Sequence, residues 1–139
     1  MKVSDKDPKI MSLDVIQKQH HIQRVIDVTD TAREIGLVSD LTIYVSEFVW
    51  QHFIVWNNED NKLFGAQESQ QKRLENILTD AIRLIVVSKK ERHESLYFNR
   101  SIMVRSFEFV AVPETILFKL NYAYDQNGKI CLVIHSRKL

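Results

Sequence analysis

The chain holds 139 residues, 45% of them apolar and 27% charged, with 19 Lys and Arg set against 18 Asp and Glu. A chain of this length buries roughly 68% of the surface its unfolded state exposes, enough for a core without a metal or disulfide staple. The single cysteine, Cys131, excludes an intramolecular disulfide and a multi-cysteine zinc site, while Gly36, Gly65 and Gly128 lie too far apart for a phosphate-cradling loop or a nucleophile elbow. Residues 1–9 are polar with alternating charges and read as disordered, without the apolar stretch of a signal peptide. No run of about 18 apolar residues occurs, so the expectation is a cytosolic protein that does not cross a membrane.

From residue 10 onward a single domain is expected. Ile10, Leu13, Ile16 and Ile22 read as a weak helix, Val25–Val28 as a short strand, and Asp30–Ile35 as two helical turns with Thr29 or Asp30 as N-cap and Gly36 past the end. Leu41–Val45 is short and β-branched, hence extended. Ser46 then caps a helix whose residues Phe48, Val49, Phe53 and Trp56 share one face and which stops near Asn57 and Asn58. Asn57–Gln67 is polar, contains Gly65 and reads as a loop. Beyond Glu68 a second helix carries Leu74, Ile77, Leu78, Ala81, Ile82 and Ile85 at steps of three and four, an unbroken apolar stripe.

After Lys89-Lys90-Glu91-Arg92-His93 the period changes. Leu96–Arg105, Phe107–Val112, Ile116–Tyr124 and Ile130–His135 are aromatic and β-branched, with Pro113 separating the second from the third. Ile116, Phe118, Leu120, Tyr122 and Tyr124 alternate with Lys119 and Asn121, the pattern of a half-buried antiparallel strand. Asp125-Gln126-Asn127-Gly128 is a turn signal, so the last two strands form a hairpin. The expected architecture is α+β: two main helices packed on a C-terminal antiparallel sheet, with a short N-terminal strand and a short capped helix.

The charge is unevenly distributed. Residues 1–69 carry seven basic against eleven acidic side chains, and residues 70–139 twelve against seven. Such a split orients a protein on a charged partner or favours self-association.

Each candidate site has a bland counterpart. Ala32, Gly36 and Ile43 sit near helix-turn-helix spacing, but the Gly36-to-Ile43 interval is one residue too long, and residues 38–56 contain Asp40 and Glu47 with no Lys or Arg. A short capped helix is the better reading. Trp56 falls on the apolar helical face, whereas Trp50 points nearly opposite Phe48, which makes it the expected exposed anchor for a partner. Glu59 and Asp60, just past Trp56, are the further candidates for partner contact; with Arg73 they form an acid/base pair or, more simply, a salt bridge latching two helices. Lys89, Lys90, Arg92, Arg100 and Arg105, with Tyr97 and Phe98 among them, outline a nucleic-acid footprint diluted by Glu91 and Glu94. His20, His21, His52, His93 and His135 show no ligand spacing, so no metal is expected. Cys131 sits mid-strand and reads as a buried thiol, leaving no catalytic residue and no cofactor to name.

Several segments together resemble an uncharacterised family of small proteins carried on bacterial phages, plasmids and other mobile elements. They are Val25–Thr29, Thr31–Gly36, Val49-Trp50 with Trp56, Glu59-Asp60, Arg73-Leu74 with Ile77-Leu78, and Phe107-Glu108-Phe109 ahead of Val112-Pro113. The resemblance covers residues 22–135 and implies an accessory protein of unassigned activity. The leading expectation is a non-enzymatic protein that binds and occludes a host protein or protein–nucleic acid complex. Direct DNA or RNA binding through residues 89–105, and a small enzyme using Glu59, Asp60 or a histidine pair, are the alternatives.

Overall fold

The computed structural model describes residues 10–14, 22–38, 40–87, 95–125 and 127–137. Its strands are β1 (Ile10–Asp14), β2 (Ile22–Asp27), β3 (Thr42–Ser46), β4 (Leu96–Arg105), β5 (Ala111–Tyr124) and β6 (Ile130–Arg137). They form one mixed sheet in the order β1-β2-β3-β6-β5-β4. All neighbours are antiparallel except β3 and β6, which run parallel with Thr42 beside Cys131 and Val45 beside Ile134. The fold is therefore α+β, but the sheet is not confined to the C-terminus: the first half of the chain supplies three strands. The expected disorder of residues 1–9 lies outside the described residues.

Four expectations are corrected. Ile10–Asp14 is a strand, because pairing with β2 from Ile10↔Ile26 to Asp14↔Ile22 satisfies the backbone where an isolated short helix would be marginal. The polar stretch after Trp56 contains α3 (Asn58–Phe64), stabilised by a capping box. Pro113 does not separate strands; it lies inside β5 opposite Met103. Phe107–Val110 is not a strand but the turn joining β4 to β5. The residues that would form a recognition helix after Gly36 instead lead into β3, which disposes of the helix-turn-helix reading.

The remaining helices are α1 (Thr29–Glu34), α2 (Glu47–Val49, continuing as a π-helical turn over Trp50–Ile54) and α4 (Gln70–Val87). Thr29 locks α1 to the sheet: its hydroxyl donates to Asp27 Oδ1 (2.6 Å) and accepts from the Ile43 amide (3.0 Å). Ser46 caps α2 as expected, accepting from the Val49 amide at 3.1 Å. In the π turn the Val55 amide reaches the Trp50 carbonyl five residues back (2.9 Å), which widens the turn by one residue. The buried face of α2 consequently becomes Val49, Trp50 and Ile54.

The helices cover one face of the sheet. There Leu74, Ile77, Leu78 and Ala81 of α4 join Trp50 and Ile54 against Ile43, Val45, Phe118, Leu120, Leu132 and Ile134. On the opposite face Val25, Tyr44, Ala123, Cys131 and Val133 make a smaller buried cluster. Burial raises the Tyr44 hydroxyl to about 12 and the Cys131 thiol to about 11, so both stay protonated at neutral pH. Cys131 is thus the core residue the sequence implied. His135, two residues beyond Val133 on this face, is pushed down to about 4, first by burial and then by Lys119. None of the described helices is long and apolar enough to cross a membrane.

His135 has a measurable consequence. Its folded pKa lies below the ordinary value of 6.5, so between these values the unfolded chain binds the proton more readily. Stability is flat above pH 6.5 with respect to this group and falls as pH drops toward 4, by on the order of 3 kcal/mol. In denaturant titrations across this window, His135→Gln shows a shallower acid slope than the wild type.

Candidate functional site

The densest side-chain network surrounds Trp56, where the end of α2, all of α3, the start of α4 and the end of β4 converge. Trp56 is buried. Its amide donates to Gln70 Oε1 (3.2 Å), and its indole Nε1 donates to Asn61 Oδ1 (2.7 Å). Asn61 also takes the Glu68 amide and returns its own Nδ2 to the Glu68 carbonyl, both at 2.8 Å, so one amide side chain closes the α3–α4 connection. Gly65 adopts φ 64°, the left-handed conformation that ends α3 and that an L side chain would strain.

Two guanidinium groups lie over the Trp56 ring, those of Arg73 and Arg105, each 4.6 Å from its centroid. Arg73 is buried on the first turns of α4; its Nη1 donates to Glu68 Oε1 (2.8 Å) and to the Met103 carbonyl on β4 (2.9 Å). Its Nε and Nη2 have no hydrogen-bond acceptor, which leaves the π face of Trp56 as their compensation. Burial lowers the Arg73 pKa, and Glu68 opposes that shift.

Arg105 grips Asp60 with two bonds, Nε to Oδ1 at 3.1 Å and Nη2 to Oδ2 at 2.7 Å, and its Nη2 also reaches the Val55 carbonyl at 2.9 Å. Asp60 at the same time accepts from the Asn57 amide in the capping box (3.0 Å). The hydrogen bond from Arg105 is the main reason its carboxyl is held below the usual range.

This network ends in an apolar tip. Immediately after Arg105, Ser106 organises the β4–β5 turn: its hydroxyl accepts from the Glu108 and Val110 amides (3.3 and 3.4 Å) and its carbonyl from the Phe109 amide (3.2 Å). Phe107 is fully exposed, Phe109 is 61% exposed and Val110 is 50% exposed. Phe109 sits at φ 57°, the single positive-φ non-glycine residue among those described, a conformation that costs a bulky side chain about 1–3 kcal/mol. Its ring leans on Phe64 of α3 (6.2 Å between centroids), and Phe64 in turn packs on Trp56 (6.0 Å). Beside Phe64, Leu63 is also more than half exposed. Elsewhere Val38, Tyr97 and Tyr124 are exposed apart from this tip, and Val86 and Val87 adjoin residues 88–94, which lie outside the described residues.

The residues singled out from sequence are distributed differently from the expectation. Trp50 is 9% exposed and belongs to the main core, because the π turn rotates it inward; it offers no surface to a partner. Glu59 is exposed on α3, and Asp60 pairs with Arg105 instead of Arg73. Of the basic segment, Arg100 is bound to Asp80 at 2.7 Å and Arg105 to Asp60, so neither presents a free cation. Lys89, Lys90 and Arg92 lie outside the described residues, as do His20, His21 and His93. His52 on α2 is exposed and stacked on Phe48 (3.9 Å), on a different element from half-buried His135 of β6. Among the described residues no group of three or more His, Cys, Asp or Glu is placed to hold a metal ion.

Phe107 and Phe109 are the surface residues that sequence reasoning missed. Phe-Glu-Phe alternates like a strand, which disguises a turn. The signals that point the other way are Ser106, suited to closing a turn on its own backbone, and the apolar run Phe109-Val110-Ala111-Val112, which breaks the alternation. No family model, curated protein or solved structure matches this chain.

The Asp60–Arg105 pair is bidentate, mostly buried and shared with a helix cap, so it is worth more than an open surface ion pair. Asp60→Ala should cost about 2 kcal/mol in chemical denaturation. A double-mutant cycle with Arg105→Ala should return a coupling of about 1 kcal/mol or more.

Proposed function

We propose that this chain is a non-enzymatic binding protein of a mobile genetic element. It works in the cytosol by occluding a surface on a host protein or protein–nucleic acid complex, and the β4–β5 tip makes the contact. The observation that carries this reading is the exposure of Phe107, Phe109 and Val110 on a turn that is held in place from below. Exposed aromatic side chains grouped on one ordered feature mark interaction sites, because they lower the solubility of the free protein without contributing to its own core. The left-handed backbone of Phe109 supports the same reading, since strain of this kind is retained where it serves a contact.

The resemblance of residues 22–135 to mobile-element accessory proteins supports the biological setting. The catalytic alternative has less behind it: Asp60 is fixed as an ionised acceptor of Arg105, and Glu59 stands exposed on α3. Nucleic-acid binding through residues 89–105 is weakened in the same way, because two of its five cations are already neutralised.

The test compares the wild type with Phe107→Ser/Phe109→Ser as immobilised baits in nuclease-treated bacterial lysate. The two proteins should melt within a few degrees of each other, because the tip contributes little to the core. The expected outcome is a partner retained by the wild type and lost by the double variant. Identical retention by both proteins would overturn the assignment of the tip as the binding surface.

A further inference from the structure

We infer that the partner presents an apolar pocket bordered by lysine or arginine side chains, into which Phe107 inserts. The inference rests on the reading of the tip as a contact surface and adds the chemistry of what it contacts. Phe107 is fully exposed, whereas Phe109 leans on Phe64. One ring therefore projects as a plug while the other forms a shoulder, and a projecting ring is buried best by a concavity.

Charge selects the border of that concavity. Between Ser106 and Glu114 the ionisable side chains are Glu108 and Glu114, both exposed, with no Lys or Arg. The guanidinium nearest the turn, that of Arg105, is spent on Asp60, and that of Arg73 on Glu68. On the adjoining helix Glu59 and Lys62 are both exposed and offset one another. The turn thus carries a negative field. Insertion of Phe107 draws the Glu108 carboxylate to the pocket's edge, where it loses water. A basic border compensates that loss, and an acidic one compounds it.

The same charges argue against the other occupants. An anionic bilayer repels the turn. A twofold dimer through this tip would bring two acidic turns together, each carrying Glu108 and Glu114. The Phe109 conformation and the Ser106 bonds exist before any partner arrives, so little ordering entropy is lost on docking.

The pocket chemistry is testable on the full chain with synthetic hosts of equal cavity and different rims. These are per-amino, neutral and per-carboxylated β-cyclodextrin, titrated calorimetrically at low salt. The expected order of affinity is amino, neutral, carboxylated, with about tenfold between the extremes. Phe107→Ala should abolish binding to all three. Glu108→Gln, which removes one charge without touching the ring, should narrow the spread several-fold. Equal affinity for the three rims, no binding to any of them, or binding that survives Phe107→Ala overturns the inference. So does Phe107-dependent co-sedimentation with phosphatidylglycerol vesicles, or Phe107-dependent dimerisation in analytical ultracentrifugation. Rim-independent binding through Phe107 overturns this inference but leaves the tip as a contact surface; the binding-protein reading falls separately, on lysate capture that ignores the tip.

Discussion

Everything around the tip depends on one buried tryptophan carrying two arginines. Trp56 fixes its own position through its amide and indole hydrogen bonds, and the Arg73 and Arg105 guanidinium groups lie over its ring. Neither cation is desolvated without compensation. Glu68 and Asp60 supply charge, the Met103 and Val55 carbonyls accept hydrogen bonds, and the ring supplies its negative face. The contiguous stretch from Val55 to Arg73 is thereby held against the end of β4, 30 to 50 residues further along the chain. Removing one partner strands a charge beside the others, so the cluster behaves as a unit and not as a set of separable contacts.

That junction explains how an apolar turn stays ordered in water. Arg105 anchors the last residue of β4 before the turn, and the Trp56–Phe64–Phe109 chain of rings supports it from α3. Ser106 then closes the turn on itself. The strain at Phe109 is sustained by this surrounding structure, since a turn this small has no core of its own with which to offset it. The sheet sets the placement: the helices cross from β3 over one face to the far edge, and the chain returns through β5 to lay β6 parallel to β3. The strands of the first half of the chain lie toward one end of the sheet and those of the second half toward the other, and Asp60 with Arg105 ties α3 to the end of β4.

Much of the fold was legible in the residues themselves. The α4 stripe, the bounds of β4, the Asp125–Gly128 hairpin and the Ser46 cap all rest on local signals of period, turn chemistry and capping. The failures have long-range causes. Ile10–Asp14 carries a helical spacing, but β2 offers it backbone partners. Trp50 was expected at the surface because the π turn, which adds one residue to the helical count, leaves no mark in composition. Proximity in sequence pairs Asp60 with Arg73 across the α3–α4 connection, while its partner in the fold lies 45 residues away on β4. At the candidate site, alternation hid the turn: Phe107 and Phe109 were legible as apolar but not as exposed.

The central claim is that the Trp56 junction holds the tip in its exposed conformation. Backbone nitrogen-15 relaxation of Ser106–Val110, in the wild type and in Asp60→Asn, tests it most directly. The account predicts tip order parameters close to those of β4 and β5 in the wild type, about 0.85, falling below about 0.6 in the variant while the strands stay rigid. A tip that is already mobile in the wild type, or equally rigid in both proteins, would contradict it.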